Sequence, residues 1–257
     1  MKLFDTHTHY DDIAFENDRH EVVSRLLSDN VAGFVAVGCT LERSELAVQL
    51  AEKYPQAYSA VGIHPQCVCD LPDDYLQTLK NLAASPKIRA IGEIGLEYCR
   101  EYNKNLQMKI FREQLDLAAR LNLPVIVHCR EAFPDIFEIL GDYKSKHNLN
   151  AVCHCFSGDG RDAEKLAEIG ISVSFTGNIA FKKAERAEDA CKNMPLELIM
   201  LETDCPYLAP PPFRGKRCDS GMMYYTAEKI AQIKRVSTEK VIETCNNNAK
   251  NFFKIEF

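Results

Sequence analysis

Five of the seven histidines of this 257-residue chain fall at one kind of place, the ends of short apolar runs, and so do its most conspicuous acids. Asp5, His7 and His9 open the chain; His64 follows the run 58–62; Glu93 and Glu97 close the run 89–94; His128 and Arg130 follow 124–127; His154 lies in 151–155; Glu202 and Asp204 follow 198–201. His20 and His147 lie in helical stretches. Residues two apart on an extended segment share a side, so Asp5, His7 and His9 face one way, as do Glu202 and Asp204, while Cys153 and Cys155 point away from His154. Imidazoles and carboxylates together are the donor set of Zn²⁺ and Mn²⁺ sites, and a carboxylate can join two ions. His7, His9, Glu93, His128, His154 and Asp204 are too many for one ion with an open position and suit two, which activate a water and stabilise attacking and leaving oxygens.

The elements that must position these residues are short and alternate. Runs at 3–5, 33–37, 58–62, 89–94, 124–127, 151–155, 172–175 and 198–201 are rich in Val, Ile and Ala and predict eight strands. Apolar residues recurring at i, i+3, i+4 predict helices over 21–27, 44–52, 75–83, 108–121, 135–143, 162–169 and 224–234, and over 237–253 with Ser237 as N-cap. Strand–helix alternation on this scale predicts an α/β chain of the (β/α)8 TIM-like barrel class, one domain over 1–257, with its metal site at the C-terminal ends of the strands. An open doubly wound sheet would carry a Gly-rich phosphate loop after an early strand; the first turn holds His7 and His9 instead.

Composition narrows the class. Lys and Arg number 31 against 37 Asp and Glu, a net charge of −6, and 46% of residues are hydrophobic. Such a chain can fill a core, and its acidity speaks against a general nucleic-acid coat protein. No apolar run approaches the about 20 residues that span a bilayer. An acid at position 5 of the opening segment leads us to expect no secretory signal and a cytoplasmic protein. The eleven cysteines include no Cys-x-x-Cys, and most are expected to be small buried hydrophobes in a reducing compartment.

The same residues fall in blocks that resemble the TatD-type metal-dependent deoxyribonucleases of the amidohydrolase-like superfamily. Asp5-Thr-His-Thr-His-Tyr-Asp11, Gly62-Ile-His-Pro65, Ile91-Gly-Glu-Ile-Gly-Leu96, Val127-His-Cys-Arg130, His154-Cys-Phe-Ser-Gly158 and Glu202-Thr-Asp-Cys-Pro-Tyr-Leu-Ala-Pro210 occur in the family's order, followed by Arg214-Gly-Lys-Arg217 and Asn248-Ala-Lys-Asn-Phe252. The resemblance implies a (β/α)8 barrel with two divalent ions, Mg²⁺ or Mn²⁺, with Zn²⁺ or others admissible. His7, His9 and Asp204 would hold one ion, Glu93 would bridge, and His128 and His154 would complete the second. The implied reaction is hydrolysis of DNA phosphodiesters from a 3′ end, on single-stranded or frayed DNA, with catalytic Asp204 as general base and Glu93 at the metals. His64, Arg130, Arg214 and Arg217 are the expected phosphate contacts. Tyr98, Tyr102, Tyr207 and Phe213 are candidates for stacking on bases. DNA is the expected partner, with no membrane and no obligate protein partner.

Two departures from the family pattern stand out. Glu97 replaces the usual Asp after Gly-Leu, which bears on support of the metals. Cys218-Asp219-Ser220 replaces the common Asn-Glu-Pro. The alternative is a hydrolase of an ester, amide or aminoacyl bond on the same scaffold.

Overall fold

The computed structural model describes residues 1–100 and 103–257. Eight strands follow one another in chain order in the sheet, β1 (Leu3–Thr8), β2 (Val31–Val37), β3 (Ala57–Val61), β4 (Ile88–Glu97), β5 (Val125–Arg130), β6 (Ala151–Cys153), β7 (Ser172–Phe175) and β8 (Ile199–Leu201). The α-helices are α1 (Arg19–Ser28), α2 (Leu41–Lys53), α3 (Tyr75–Leu82), α4 (Lys104–Leu121), α5 (Phe133–His147), α6 (Gly160–Glu168), α7 (Glu185–Asn193), α8 (Met223–Lys234) and α9 (Thr238–Phe253). A helix follows every strand, the (β/α)8 class expected from the alternation. All eight expected strands are present. The helix α7 has no counterpart in the sequence reading, because only Ala190 and Cys191 of its nine residues are buried.

The chain divides into two compact units, Met1–Val35 with Cys155–Phe257, and Ala36–His154. In the first, β7 and β8 pair in parallel through Val173, Ser174 and Phe175. A parallel bridge between Thr8 and Cys205 sets the end of β1 beside the segment after β8. Its core includes Phe4, Phe15, Phe175 and Phe253. Helix α9 packs Val241, Cys245, Ala249 and Phe253 inward. Its N-cap is Ser237, whose side chain accepts from the Lys240 amide at 3.1 Å. Removing that acceptor in Ser237→Ala should cost about 1 kcal/mol. The expected result is a melting temperature lower by about 2–4 °C with an unchanged circular dichroism spectrum.

In the second unit β3, β4, β5 and β6 pair in parallel. Their residues are buried almost throughout, as strands covered on both faces require. The β4–β5 register is irregular between Ile91 and Ile94, and a bulge of this kind re-aims a side chain; Glu93 lies within it. Its amide donates to Gly38 O at 2.9 Å. Gly95 takes φ +146° opposite His128, and a Cβ there would stand 2.0 Å from His128 O, so only glycine lets β4 pass that residue. Two buried glutamines of α4 reach under the strand ends. Gln114 Oε1 accepts from Ile63 N at 2.7 Å and its Nε2 donates to Ile63 O at 3.1 Å, while Gln107 Oε1 accepts from Glu97 N at 3.0 Å.

Candidate metal centre

In the first unit the donors are His7, His9 and Asp204. Asp5 organises them from below: its buried carboxylate accepts from Thr203 N at 3.0 Å, Thr203 Oγ1 at 2.6 Å, Ser220 Oγ at 2.7 Å and His7 N at 3.3 Å. Burial pushes its carboxyl up to about 7 although the bonds from Thr203 and Ser220 pull the other way. Asp204 N donates to His7 O at 3.0 Å, and Asp204 takes φ 56°, a left-handed backbone that turns the chain as it leaves β8. The guanidinium of Arg19 caps the carbonyls of Tyr10, Asp11 and Asp12 and fixes the loop after His9. So held, His7 Nε2 and His9 Nε2 stand 3.1 Å apart, and Asp204 Oδ1 lies 3.3 Å from His9 Nε2 and 3.9 Å from His7 Nε2. Two donors on one tetrahedral ion with bonds of about 2.0–2.2 Å stand about 3.3–3.6 Å apart. Two imidazoles and a carboxylate at this spacing fit a divalent cation.

In the second unit Glu93 is the hub. Its Oε1 lies 2.6 Å from His154 Nε2, 2.9 Å from His128 Nδ1 and 3.3 Å from His64 Nε2. His128 Nδ1 and His154 Nε2 are 3.4 Å apart, again the spacing of two donors on one ion. Burial opposes ionisation of Glu93, but the imidazoles of His154 and His64 and the bonds from His128 and His154 outweigh it and hold the carboxyl well below the usual range. On the far side of its ring, His128 Nε2 meets Glu97 Oε2 at 2.9 Å, and Gln66 Nε2 donates to the same oxygen at 3.2 Å. Cys99 Sγ donates to Glu97 Oε1. Burial raises the Glu97 carboxyl, yet the bonds from His128 and Cys99 hold it at about 2. Glu97 therefore keeps a proton on His128 Nε2 and leaves Nδ1 as the face turned to Glu93, the way a ligating imidazole is oriented by a carboxylate behind it. His64 Nδ1 accepts from Gln66 N at 3.1 Å, which puts the proton of the neutral ring on Nε2.

The structure thus groups all six expected metal-ligating residues, as one set of three in each unit. His64, expected at substrate phosphate, stands beside Glu93. Arg130 ends β5 with an exposed side chain. Arg214 lies over the Phe181 ring at 3.6 Å. Arg217 is engaged within the protein: Asp18 takes both its terminal nitrogens, at 2.8 and 2.6 Å, and Ala14 O takes one at 2.6 Å. That ion pair holds the Asp18 carboxyl below its ordinary value. Of the aromatics, Tyr98 donates to Asp135 with Lys104 over its ring, Phe213 packs edge-on to Tyr225, and Tyr207 is 54% exposed. Tyr102 lies outside the described residues. Glu202 accepts from Cys155 N at 2.6 Å and Ser174 Oγ at 2.6 Å. Sequence reasoning passed over Gln66, Gln107 and Gln114, which no local spacing marks. Of the eleven cysteines, six (Cys129, Cys153, Cys191, Cys205, Cys218 and Cys245) are buried, as expected.

The likeness to known proteins covers nearly the whole chain. Residues 4–254 match the family model described as TatD related DNase. The metal-dependent hydrolase YabD of Bacillus subtilis is 35% identical over 254 residues, 98% of this chain and 99% of the relative. The 3′-5′ ssDNA/RNA exonuclease TatD of Escherichia fergusonii is 30% identical over 261 residues, 99% of this chain and 100% of the relative. Among solved structures, the TatD homologue YJJV of Escherichia coli K12 superposes with a TM-score of 0.91 at 26% identity, over 99% of this chain and 98% of that one. No helix among the described residues is long and apolar enough to cross a membrane. With a family match from residue 4 to 254 and two histidine–carboxylate groups on a (β/α)8 scaffold, this chain belongs to the TatD related DNase family and is a metal-dependent hydrolase of it.

Proposed function

We propose that this chain acts as one catalytic domain that hydrolyses DNA phosphodiesters, removing nucleotides from the 3′ end of single-stranded or frayed strands with two divalent ions. The observation that carries the reading is the pair of donor groups: His7, His9 and Asp204 would hold one ion, and Glu93, His128 and His154 the other. The name of the Escherichia fergusonii relative supports the polarity and the substrate. Divalent ions supply Lewis-acid stabilisation of charge on phosphoryl oxygens and acidify the attacking water. Asp204, whose side chain is 16% exposed, is the carboxylate that accepts the water proton, at Oδ. Glu97 holds the His128 ring against rotation through Nε2. Arg130 and Arg214 are the guanidinium groups for substrate phosphates, while the Nε2 proton of His64 faces Glu93 Oε1 at 3.3 Å and steadies that carboxylate. Cysteines that serve mainly as small buried side chains suit a reducing, cytoplasmic compartment.

Arg130→Ala should raise KM for an oligonucleotide about tenfold and leave kcat nearly unchanged, because a phosphate contact remote from the reacting atoms binds ground and transition states alike. Steady-state kinetics at fixed salt reads this directly; an unchanged KM removes Arg130 from the substrate path. The function itself is tested on 3′- and 5′-labelled single-stranded DNA and RNA. Metal-stripped protein is compared with protein given Mg²⁺, Mn²⁺ or Zn²⁺. Stepwise shortening from the 3′ end that needs the added ion is expected. A protein that holds its ions and cleaves neither polymer would act on another ester or amide.

A further inference from the structure

The geometry points to Cys39 as a sulfur ligand on the Glu93 side of the metal centre, one that selects Zn²⁺- or Co²⁺-like ions over Mg²⁺. The inference rests on the reading of Glu93, His128 and His154 as ligands. Cys39 lies two residues beyond the end of β2, at the same kind of strand end as every other donor, and its thiol is half-buried. Its Sγ stands 3.7 Å from Glu93 Oε2, the carboxylate oxygen opposite the one that meets the three imidazoles. A sulfur and an oxygen on one tetrahedral ion, with bonds of about 2.3 and 2.0–2.2 Å, stand about 3.5–3.7 Å apart.

The backbone around Cys39 is tied to the site on both sides. Gly38 N donates to Ala60 O at 3.0 Å, Gly38 O accepts from Glu93 N at 2.9 Å, and Cys39 O accepts from His64 N at 2.9 Å. Thr40 then caps α2, its side chain accepting from Arg43 N at 3.2 Å. Gly38 permits the approach, since a Cβ there would stand 2.3 Å from Ser44 Oγ. The thiol is therefore delivered to Glu93 by a rigid segment that the metal-site residues themselves anchor. Cys39 binds through its sulfur as the thiol proton passes to solvent, and no electron changes hands. Thiolate favours borderline and soft ions, whereas Mg²⁺ takes oxygen donors, so the chain's preference shifts away from Mg²⁺.

Metal-stripped protein titrated with Co²⁺ tests this by absorption. A near-ultraviolet sulfur-to-cobalt charge-transfer band is expected beside the visible bands of the ion. Cys39→Ser and Cys39→Ala should lose the ultraviolet band and keep the visible ones. Cys67→Ser, at another half-buried thiol, should keep both. Zn²⁺ affinity should fall about tenfold or more in both Cys39 variants while Mg²⁺ affinity is unchanged. Visible bands without the ultraviolet one in the unaltered protein, or an ultraviolet band that survives both Cys39 variants, overturns the sulfur ligand and leaves the metal centre standing. Failure to bind cobalt at all overturns both.

Discussion

Glu93→Gln should leave a folded protein that has lost its catalytic metal and about a thousandfold or more of its activity. The reason lies in how many groups depend on one carboxylate. Glu93 Oε1 meets His154, His128 and His64, and Oε2 meets the Cys39 thiol. The carboxyl is held ionised against its burial by those imidazoles. An amide has nearly the same shape but no charge, and one of its two ends carries hydrogens where the imidazoles and an ion need an acceptor. Divalent affinity should fall first, so bound metal per chain, measured by elemental analysis after dialysis, drops by about one ion. Activity on labelled single-stranded DNA should follow. Circular dichroism should stay the same, because β4 keeps its packing and its ladder. Full metal content with more than about a tenth of the activity would remove Glu93 from the centre.

Glu93 also shows what a sequence tells and where it stops. The eight strands were legible because strands covered on both faces read as runs of Val, Ile and Ala. The donors were legible because imidazole and carboxylate kept recurring where those runs end. Their aim was not: the register shift between Ile91 and Ile94, within which Glu93 lies, leaves no local mark. Nor do Gln107 and Gln114, whose amides work on backbone 10 and 51 residues away. Arg217 reads as part of a basic loop, yet its charge is taken by Asp18, 199 positions earlier in the chain. The helix α7 buries too little to leave a periodic stripe. Glu97, a departure from the family pattern, turns out to touch His128 directly, so its extra methylene bears on the aim of that imidazole. Ser220, in the other departing segment, gives its hydroxyl to Asp5 and also meets Tyr10 Oη at 2.7 Å.

That last contact makes Asp5→Ala the second large effect. Asp5 lies wholly buried in β1 and collects bonds from Thr203, Ser220 and His7. Truncation strands these donors away from water and opens a cavity, at about 3–5 kcal/mol in total. For a chain of this length that is a melting temperature lower by about 10 °C. The loss should not stay local. Asp5 holds Thr203, whose neighbour Asp204 donates to His7 O, and Thr8 bridges to Cys205. Releasing Thr203 therefore loosens the spacing of His7, His9 and Asp204, and affinity for the ion they would hold should fall with stability. Asp5→Asn keeps the shape and one acceptor oxygen, so it should lose less than half as much stability as the alanine variant. Thermal unfolding of both variants, with amide exchange at Thr203 and Asp204, separates the outcomes. An alanine variant within about 1 kcal/mol of the parent would mean that water replaces the carboxylate, and that the bonds from Thr203 and Ser220 do not set the first metal group.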